Sequence, residues 1–301
     1  MQLVRDGGRW RLWGELALLI VSIGHILAGI IFFFAYNWAD LTAEVKLITI
    51  QASIAITLAT AYWASWDSQL GQVLVVVSSV LVGVLLAVFG QVYQTGADSW
   101  ELFFTWSVLL LPWLIAGRNK VLWIVWLLVT NLAWVLYTKE ILLPQGKISE
   151  SFLMLGHISL MGVALSFREY FLSIGWRWLA GNWVRLILLF SFLGVLLIPA
   201  FHGLFDTGYI GGNGFILLFL ATCIATFYIY WLILPDFKAL TLIAFFAGLF
   251  TFLSLARITT KFASSNELFL FGLEAIFVTW LLSFLLKKIS GVIQTRDRAN
   301  E

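Results

Sequence analysis

Residues 70–90 read LGQVLVVVSSVLVGVLLAVFG, a run of 21 residues without a charged side chain. An α-helix rises 1.5 Å per residue, so about 20 apolar residues cross a hydrocarbon core of ~30 Å. Backbone N–H and C=O groups find no water inside that core, and a spanning segment must satisfy them within itself or within a closed barrel. An uninterrupted apolar run of this length therefore predicts a transmembrane helix.

The rest of the 301-residue chain repeats this pattern. Hydrophobic residues make up 61% of the sequence, charged residues only 11%, and the mean hydropathy is +0.97. Soluble domains carry roughly 25% charged residues, so this composition excludes an ordinary water-soluble protein. We predict an all-α, polytopic integral membrane bundle of about ten transmembrane helices, at residues 16–38, 43–64, 70–90, 101–117, 120–138, 151–167, 184–204, 214–234, 238–256 and 267–286.

The basic residues predict the orientation of these spans. With ten spans and a cytoplasmic amino terminus, 13 of the 18 Lys and Arg residues fall on the cytoplasmic side. Cytoplasmic loops carry an excess of Lys and Arg, so this distribution places both termini in the cytoplasm. Residues 168–183 combine arginines with tryptophans, which is typical of a segment lying at the headgroup level, and we predict a cytoplasmic interfacial linker there.

Two divisions of the chain are suggested by the sequence. We predict a first membrane domain at 1–140, with spans one to five, and a second half at 141–301, with spans six to ten, packed as one bundle. The segments ADSWELF (97–103) and ASSNELF (263–269) share A-x-S-x-E-L-F at an offset of 166 residues. This match predicts a parallel repeat of spans 1–4 and 7–10, or else a coincidence between two helix N-terminal signals.

The polar residues that could carry a function gather on the predicted outer side of the bundle. They lie where span one ends, in the connection between spans three and four, and at the start of span ten. The candidate ligand-binding residues are Asn37, Asp40, Gln91, Tyr93, Asp98, Glu101, Glu267 and Glu274.

Glu274 is the sharpest of these candidates, because it lies about 10 Å deeper in span ten than Glu267, on the same helical face. An ionisable group inside lipid costs a few kcal/mol and is normally paired, neutral or facing water. Glu274 is therefore either part of a site or a carboxyl bonded to a neighbouring helix. Span two carries a polar stripe that either packs against another helix or lines a wet cavity: Lys46, Thr49, Ser53, Thr57 and Thr60.

Catalytic and metal chemistry find no support in the sequence. The three histidines lie on three different spans without ligand spacing, and the single cysteine, Cys223, lies inside an apolar run. No Ser, Cys, His or Asp arrangement matches a hydrolase spacing. We expect no catalytic residues, no metal and no cofactor, and a net charge of +2 gives no reason to expect nucleic acid as a partner.

Three segments carry a resemblance to a known family: FFAYNWADL (33–41), GQVYQ (90–94) and DSWELF (98–103). Over about residues 12–140 the chain resembles the bacterial predicted-membrane-protein family catalogued as domain of unknown function 2157. The resemblance implies a protein of the bacterial inner (cytoplasmic) membrane. It brings no established activity and no catalytic residues.

Two main hypotheses for the function follow from these observations. The first is an inner-membrane protein that binds or transports a small solute or ion through the outward-facing polar cluster, with the lipid bilayer as its surroundings. The alternative is a non-catalytic membrane partner or assembly protein that binds another membrane protein through its outer loops. An enzyme acting on a lipid-linked substrate ranks third, since the sequence brings no base near a nucleophile.

Overall fold

The computed structural model describes residues 40–206, 211–262 and 267–300, with side chains to Val292, and the single positions Gly14, Leu18, Val21, His25 and Trp38. Apart from those single positions, the predicted first span, 16–38, lies outside the described residues, and so does the candidate Asn37. The described residues form no strand, and nine of their helical segments are long and apolar enough to span a membrane, at 19–26 residues each. These lengths correspond to about 28–39 Å, enough to cross the hydrocarbon core.

The nine helices coincide with nine of the ten predicted spans. In chain order they are α1 (Ala43–Trp63), α2 (Gln69–Tyr93), α3 (Ser99–Gly117), α4 (Lys120–Tyr137), α5 (Glu150–Ser173), α6 (Asn182–Phe205), α7 (Gly212–Tyr228), α8 (Phe237–Phe262) and α9 (Glu267–Asn300). Short π-helical turns continue α4 over Thr138–Leu142 and α7 over Ile229–Ile233. The prediction of a polytopic helical membrane bundle is confirmed.

The chain divides into two compact units, Met1–Gly96 and Ala97–Glu301. In the first unit α1 packs against α2. The hydroxyls of the predicted polar stripe on α1 donate to carbonyls of their own helix, as Ser53 does to Thr49 at 2.8 Å and Thr57 to Ser53 at 2.8 Å. The stripe therefore satisfies its hydroxyls locally. The predicted division at residue 140 and the predicted repeat stay predictions.

In the second unit α6 lies at the centre and packs against α5, α7 and α8. Its fully buried leucines Leu189, Leu193 and Leu196 follow a spacing of four and three residues, which places them on one helical face. Phe219 of α7 and Phe250 of α8 complete this core with ring centroids 4.9 Å apart. Apolar side chains on the outer faces of the bundle remain exposed, as they must where lipid is the solvent.

Neighbouring helices of the second unit alternate in direction, so their ends gather on two sides. We call the side where α3, α5, α7 and α9 begin the carboxylate end, and the side where α4, α6 and α8 begin the arginine end. α6 and α8 run in the same direction, and polar contacts join them at both ends. Arg185 is paired with Asp236 at the arginine end, and the Arg257 Nε donates to the Leu204 carbonyl over 2.9 Å at the carboxylate end.

Residues 168–183 do not all form an interfacial linker, and that part of the prediction is wrong. α5 continues through Arg168 and Glu169 to Ser173, and Arg168 is only 1% exposed. The charges did not end the helix because Arg168 pairs with its neighbour Glu169, and Glu169 also pairs with Arg185 of α6. The shorter segment after Ser173, with a 3-10 turn at Arg177–Leu179, does keep its tryptophans Trp176 and Trp183 exposed.

Candidate functional site

The candidates in the first unit centre on a contact between Trp38 and Gln91. The Trp38 indole N–H donates to Gln91 Oε1 over 3.4 Å, and the Lys46 ammonium lies 5.2 Å from the centre of the Trp38 ring. Asp40 and Tyr93 are exposed, and the Tyr93 ring lies 4.6 Å from that of Phe89. Gln91 is thus engaged by an indole, while the Asp40 carboxylate and the Tyr93 hydroxyl make no polar contact within the described residues.

At the carboxylate end of the second unit, Asp98 and Glu101 flank the start of α3. Asp98 occupies the N-cap position without a side-chain capping bond, and Glu101 lies in the first turn; both are exposed. Acidic side chains near a helix N-terminus interact favourably with the helix dipole, which gives both residues a local structural role. Their exposure also leaves them open to solvent or to a ligand.

The Glu140 carboxylate reaches the same helix start, although the sequence pattern did not single it out as a candidate. It lies in the π-helical turn after α4, and its Oε2 accepts from the Trp100 backbone N–H over 3.4 Å. The Trp100 ring meets Tyr137 edge-on with centroids 4.9 Å apart. A carboxylate from the π-helical turn after α4 therefore caps the start of α3.

Glu274 lies at the contact between α8 and α9. The Thr259 hydroxyl of α8 donates to Glu274 Oε1, whereas Glu274 Oε2 is buried and has no hydrogen-bond partner. None of the ion pairs among the described residues involves Glu274. Glu267, at the start of α9, is partly exposed about 10 Å nearer the helix end. One oxygen of this carboxylate, on a helix of membrane-spanning length, thus has no hydrogen-bond partner.

The densest polar network lies at the arginine end, and sequence reasoning missed it. We call it the ionic cluster: Arg168, Glu169, Arg185, Tyr230 and Asp236. Arg185 binds both oxygens of Glu169, with Nε at 2.8 Å and Nη2 at 2.9 Å, and its Nη1 lies 2.6 Å from Asp236 Oδ2. Bidentate guanidinium–carboxylate geometry is among the strongest polar contacts in proteins.

The remaining contacts of the ionic cluster tie four helices together. Arg168 lies 2.5 Å from Glu169 and donates to the Gly181 carbonyl over 3.1 Å, while the Tyr230 hydroxyl donates to Glu169 over 3.2 Å. Asp236 Oδ1 accepts from the first backbone N–H groups of α8. The two arginines and two carboxylates balance in charge, which offsets the desolvation cost of burying them. The cluster acts as a structural joint of α5, α6, α7 and α8.

One sequence signal pointed to this joint. Arg168, Arg185 and Asp236 each lie within a few residues of a predicted span end, and the topology places all three on one side. Charged side chains near the end of a span either lie exposed among the headgroups or pair with opposite charges at the same end of the bundle. Among the residues that the structure describes, no three His, Cys, Asp or Glu side chains come together in a group that could hold a metal ion.

The nine membrane-length helices in the described part of the chain, with the charge-balanced joint of the second unit, define the class, a polytopic α-helical membrane protein that contacts the lipid bilayer. Residues 6–123 of the chain match the family model described as Predicted membrane protein (DUF2157), which confirms the resemblance seen in the sequence over that range. No curated protein and no solved structure matches the chain.

Proposed function

We propose that this protein binds and moves a small ion or solute across the bacterial inner membrane, with Glu274 as the central group of the site. The observation that carries this proposal is the buried, unpartnered Oε2 of Glu274. A buried polar atom without a partner costs roughly 1–3 kcal/mol, and more when the group is charged. A proton on Oε2 removes the charge, and a small cation there supplies the missing partner, so the carboxylate is suited to exchange one.

In this proposal, Thr259 determines which oxygen of Glu274 binds the exchanging proton or cation. Its hydroxyl occupies Oε1 and holds the carboxylate between α8 and α9, which leaves Oε2 for the ligand. Ionisable residues inside transmembrane segments commonly serve as proton relays or ion sites. Glu274 has no arginine or lysine within ion-pair distance among the described side chains, so a ligand does not compete with a fixed cation.

Glu267 forms the polar approach to this site in the proposal. Glu267 lies on the face of α9 that leads outward from Glu274. The remaining residues stay candidate ligand-binding residues on the same predicted side: Asn37, Asp40, Gln91, Tyr93, Asp98 and Glu101. The proposal places this side in the periplasm and both termini in the cytoplasm, in line with the distribution of Lys and Arg.

The test is a flux measurement on purified protein in liposomes under an imposed gradient of H⁺, Na⁺ or K⁺. We expect Glu274→Gln to lower the protein-dependent flux at least about tenfold, since the amide keeps the shape but cannot exchange a proton or hold a cation. Glu150→Gln is the matched control, because Glu150 is an exposed carboxylate in the first turn of α5 at the carboxylate end. This control should carry the flux of the wild type.

Two results would contradict the proposal: no flux above protein-free vesicles for any of the three ions, or equal flux through wild type and Glu274→Gln. Either result leaves the partner hypothesis as the better account. Its own test is copurification with a fixed membrane protein, lost on substitution of Gln91 or Trp100. The flux assay and the copurification assay therefore separate the two classes of function.

A further inference from the structure

Arg118, Lys120 and Arg177 lie on adjoining segments at the arginine end, and none of them has an acidic partner among the described residues. Arg118 ends α3 in the left-handed conformation at φ 41° and is exposed. Lys120, two residues later, begins α4. Its ammonium donates to the Ala180 carbonyl over 3.4 Å, and the Ala180 N–H in turn donates to the Arg177 carbonyl over 2.9 Å. The α3–α4 turn therefore lies against the segment that carries Arg177.

The carboxylates of this end cannot neutralise these cations. Among the side chains that the structure describes, Glu169 and Asp236 are the acidic groups of the second unit at the arginine end, and both are bound in the ionic cluster. Arg118 and Arg177 make no side-chain polar contact within the described residues, and Lys120 has only a carbonyl and an aromatic ring as neighbours. Within the described side chains of the second unit, the three cations therefore have no carboxylate partner.

Indole rings accompany two of these cations. The Lys120 ammonium lies 5.8 Å from the centre of the Trp183 ring, and Trp183 is 39% exposed. Trp176, next to Arg177, is 41% exposed and stays in place through its contact with Phe171, with ring centroids 4.3 Å apart. Tryptophan is enriched at membrane interfaces because its ring is apolar and its N–H is polar.

The segment that carries these side chains is held rigidly. Leu179 is fully buried in the core, and the Gly181 carbonyl accepts from Arg168 over 3.1 Å. Gly181 has φ 131°, a conformation that L side chains rarely adopt, and this turns the chain from the 3-10 turn into α6. A fixed backbone presenting cations and indoles loses little entropy on binding a ligand, which favours a specific site over loose attraction.

We propose that Arg118, Lys120 and Arg177, with Trp176 and Trp183, form a binding site for the phosphate headgroup of an anionic phospholipid, with the acyl chains running along the exposed apolar face of the bundle. The negative phosphate neutralises the positive charge of the three basic side chains, and the indoles flank the glycerol region. Basic side chains at the membrane surface bind anionic lipid headgroups in this way. The site does not depend on the proposed ion-binding role of Glu274.

The experiment titrates the detergent-purified full-length protein with dioleoylphosphatidylglycerol and counts bound lipids by native mass spectrometry. Dioleoylphosphatidylcholine and inorganic phosphate serve as competing probes. We expect Lys120→Gln to raise the apparent Kd for phosphatidylglycerol about fivefold, and the triple Gln variant of Arg118, Lys120 and Arg177 to raise it roughly 100-fold. Lys120→Arg should restore binding, and Lys147→Gln, an exposed lysine at the carboxylate end, should leave it unchanged.

Several results would overturn the site. They are wild-type affinity in the triple variant, equal affinity for phosphatidylcholine and phosphatidylglycerol, and a Lys147→Gln effect as large as that of Lys120→Gln. Displacement of the lipid by an equal concentration of inorganic phosphate would reassign it to a free anion. The Lys120→Arg variant keeps the charge in place, so restored binding there separates a lipid contact from a general loss of folding.

Discussion

Replacing Glu169 by Gln should lower the free energy of unfolding by about 3 kcal/mol or more, the range found when one partner of a buried ion pair is removed. Gln keeps the size of the side chain but removes the charge that Arg168 and Arg185 share. Arg168 is 1% exposed, so its guanidinium would stay buried without a counter-charge. The measurement is unfolding of the purified protein in mixed micelles by increasing dodecyl sulfate.

The control for this prediction lies on the same helix. Glu150→Gln removes an exposed carboxylate from the first turn of α5 and should change the free energy of unfolding by less than about 0.5 kcal/mol. Adding Arg168→Met to Glu169→Gln should recover part of the loss, because an apolar side chain of similar length then replaces the stranded cation. Equal stability of Glu169→Gln and the wild type would mean that the ionic cluster does not hold the helices together.

Replacing Gly203 by Ala should push α6 away from α7 and lower the free energy of unfolding by about 1–3 kcal/mol or more, as overpacking of a dense interface does. A Cβ at residue 203 would lie 2.5 Å from the Gly212 carbonyl oxygen. The obstacle is backbone, which cannot rotate away as a side chain can. Small residues at helix contacts allow this close approach in membranes, where association depends on van der Waals packing.

Gly214→Ala provides the matched control for the helix contact. Gly214 lies in the first turn of α7, and a Cβ there would meet nothing within 4 Å. Ala is favoured over Gly in a helix by about 1 kcal/mol, so this variant should be as stable as the wild type or more so. If Gly203→Ala and Gly214→Ala gave the same unfolding curve, the close contact between α6 and α7 would be refuted.

The positions of the helices could be predicted from hydropathy because the bilayer imposes one requirement on every spanning segment. The predicted ends were less accurate where charged residues occur within a helix. Span 151–167 stops before Arg168, whereas α5 continues to Ser173, and span 238–256 stops before Arg257, whereas α8 continues to Phe262. Arg168 and Arg257 both find hydrogen-bond partners inside the structure, so neither ends its helix.

The candidate site could be predicted only in part, for a similar reason. Glu274 stands out in any sequence of this kind, since a carboxylate two turns inside an apolar span is rare. Its partner Thr259 does not, because hydroxyl residues are common in transmembrane helices and usually bond their own backbone. Apart from the adjacent pair Arg168–Glu169, the contacts between members of the ionic cluster join residues 16 to 61 positions apart in the chain, a pairing that depends on how the helices are arranged and not on any local pattern.

The most direct test of the account is the accessibility of the two ends of α3 from either side of the membrane. Asp98 and Arg118 bracket this 19-residue helix and are exposed, and Cys223, the single native cysteine, is buried and can be replaced by Ser. In intact cells, a membrane-impermeant maleimide should label Asp98→Cys and label Arg118→Cys only after permeabilisation. Labelling of both variants from the same side would contradict the account, because α3 would then not cross the bilayer.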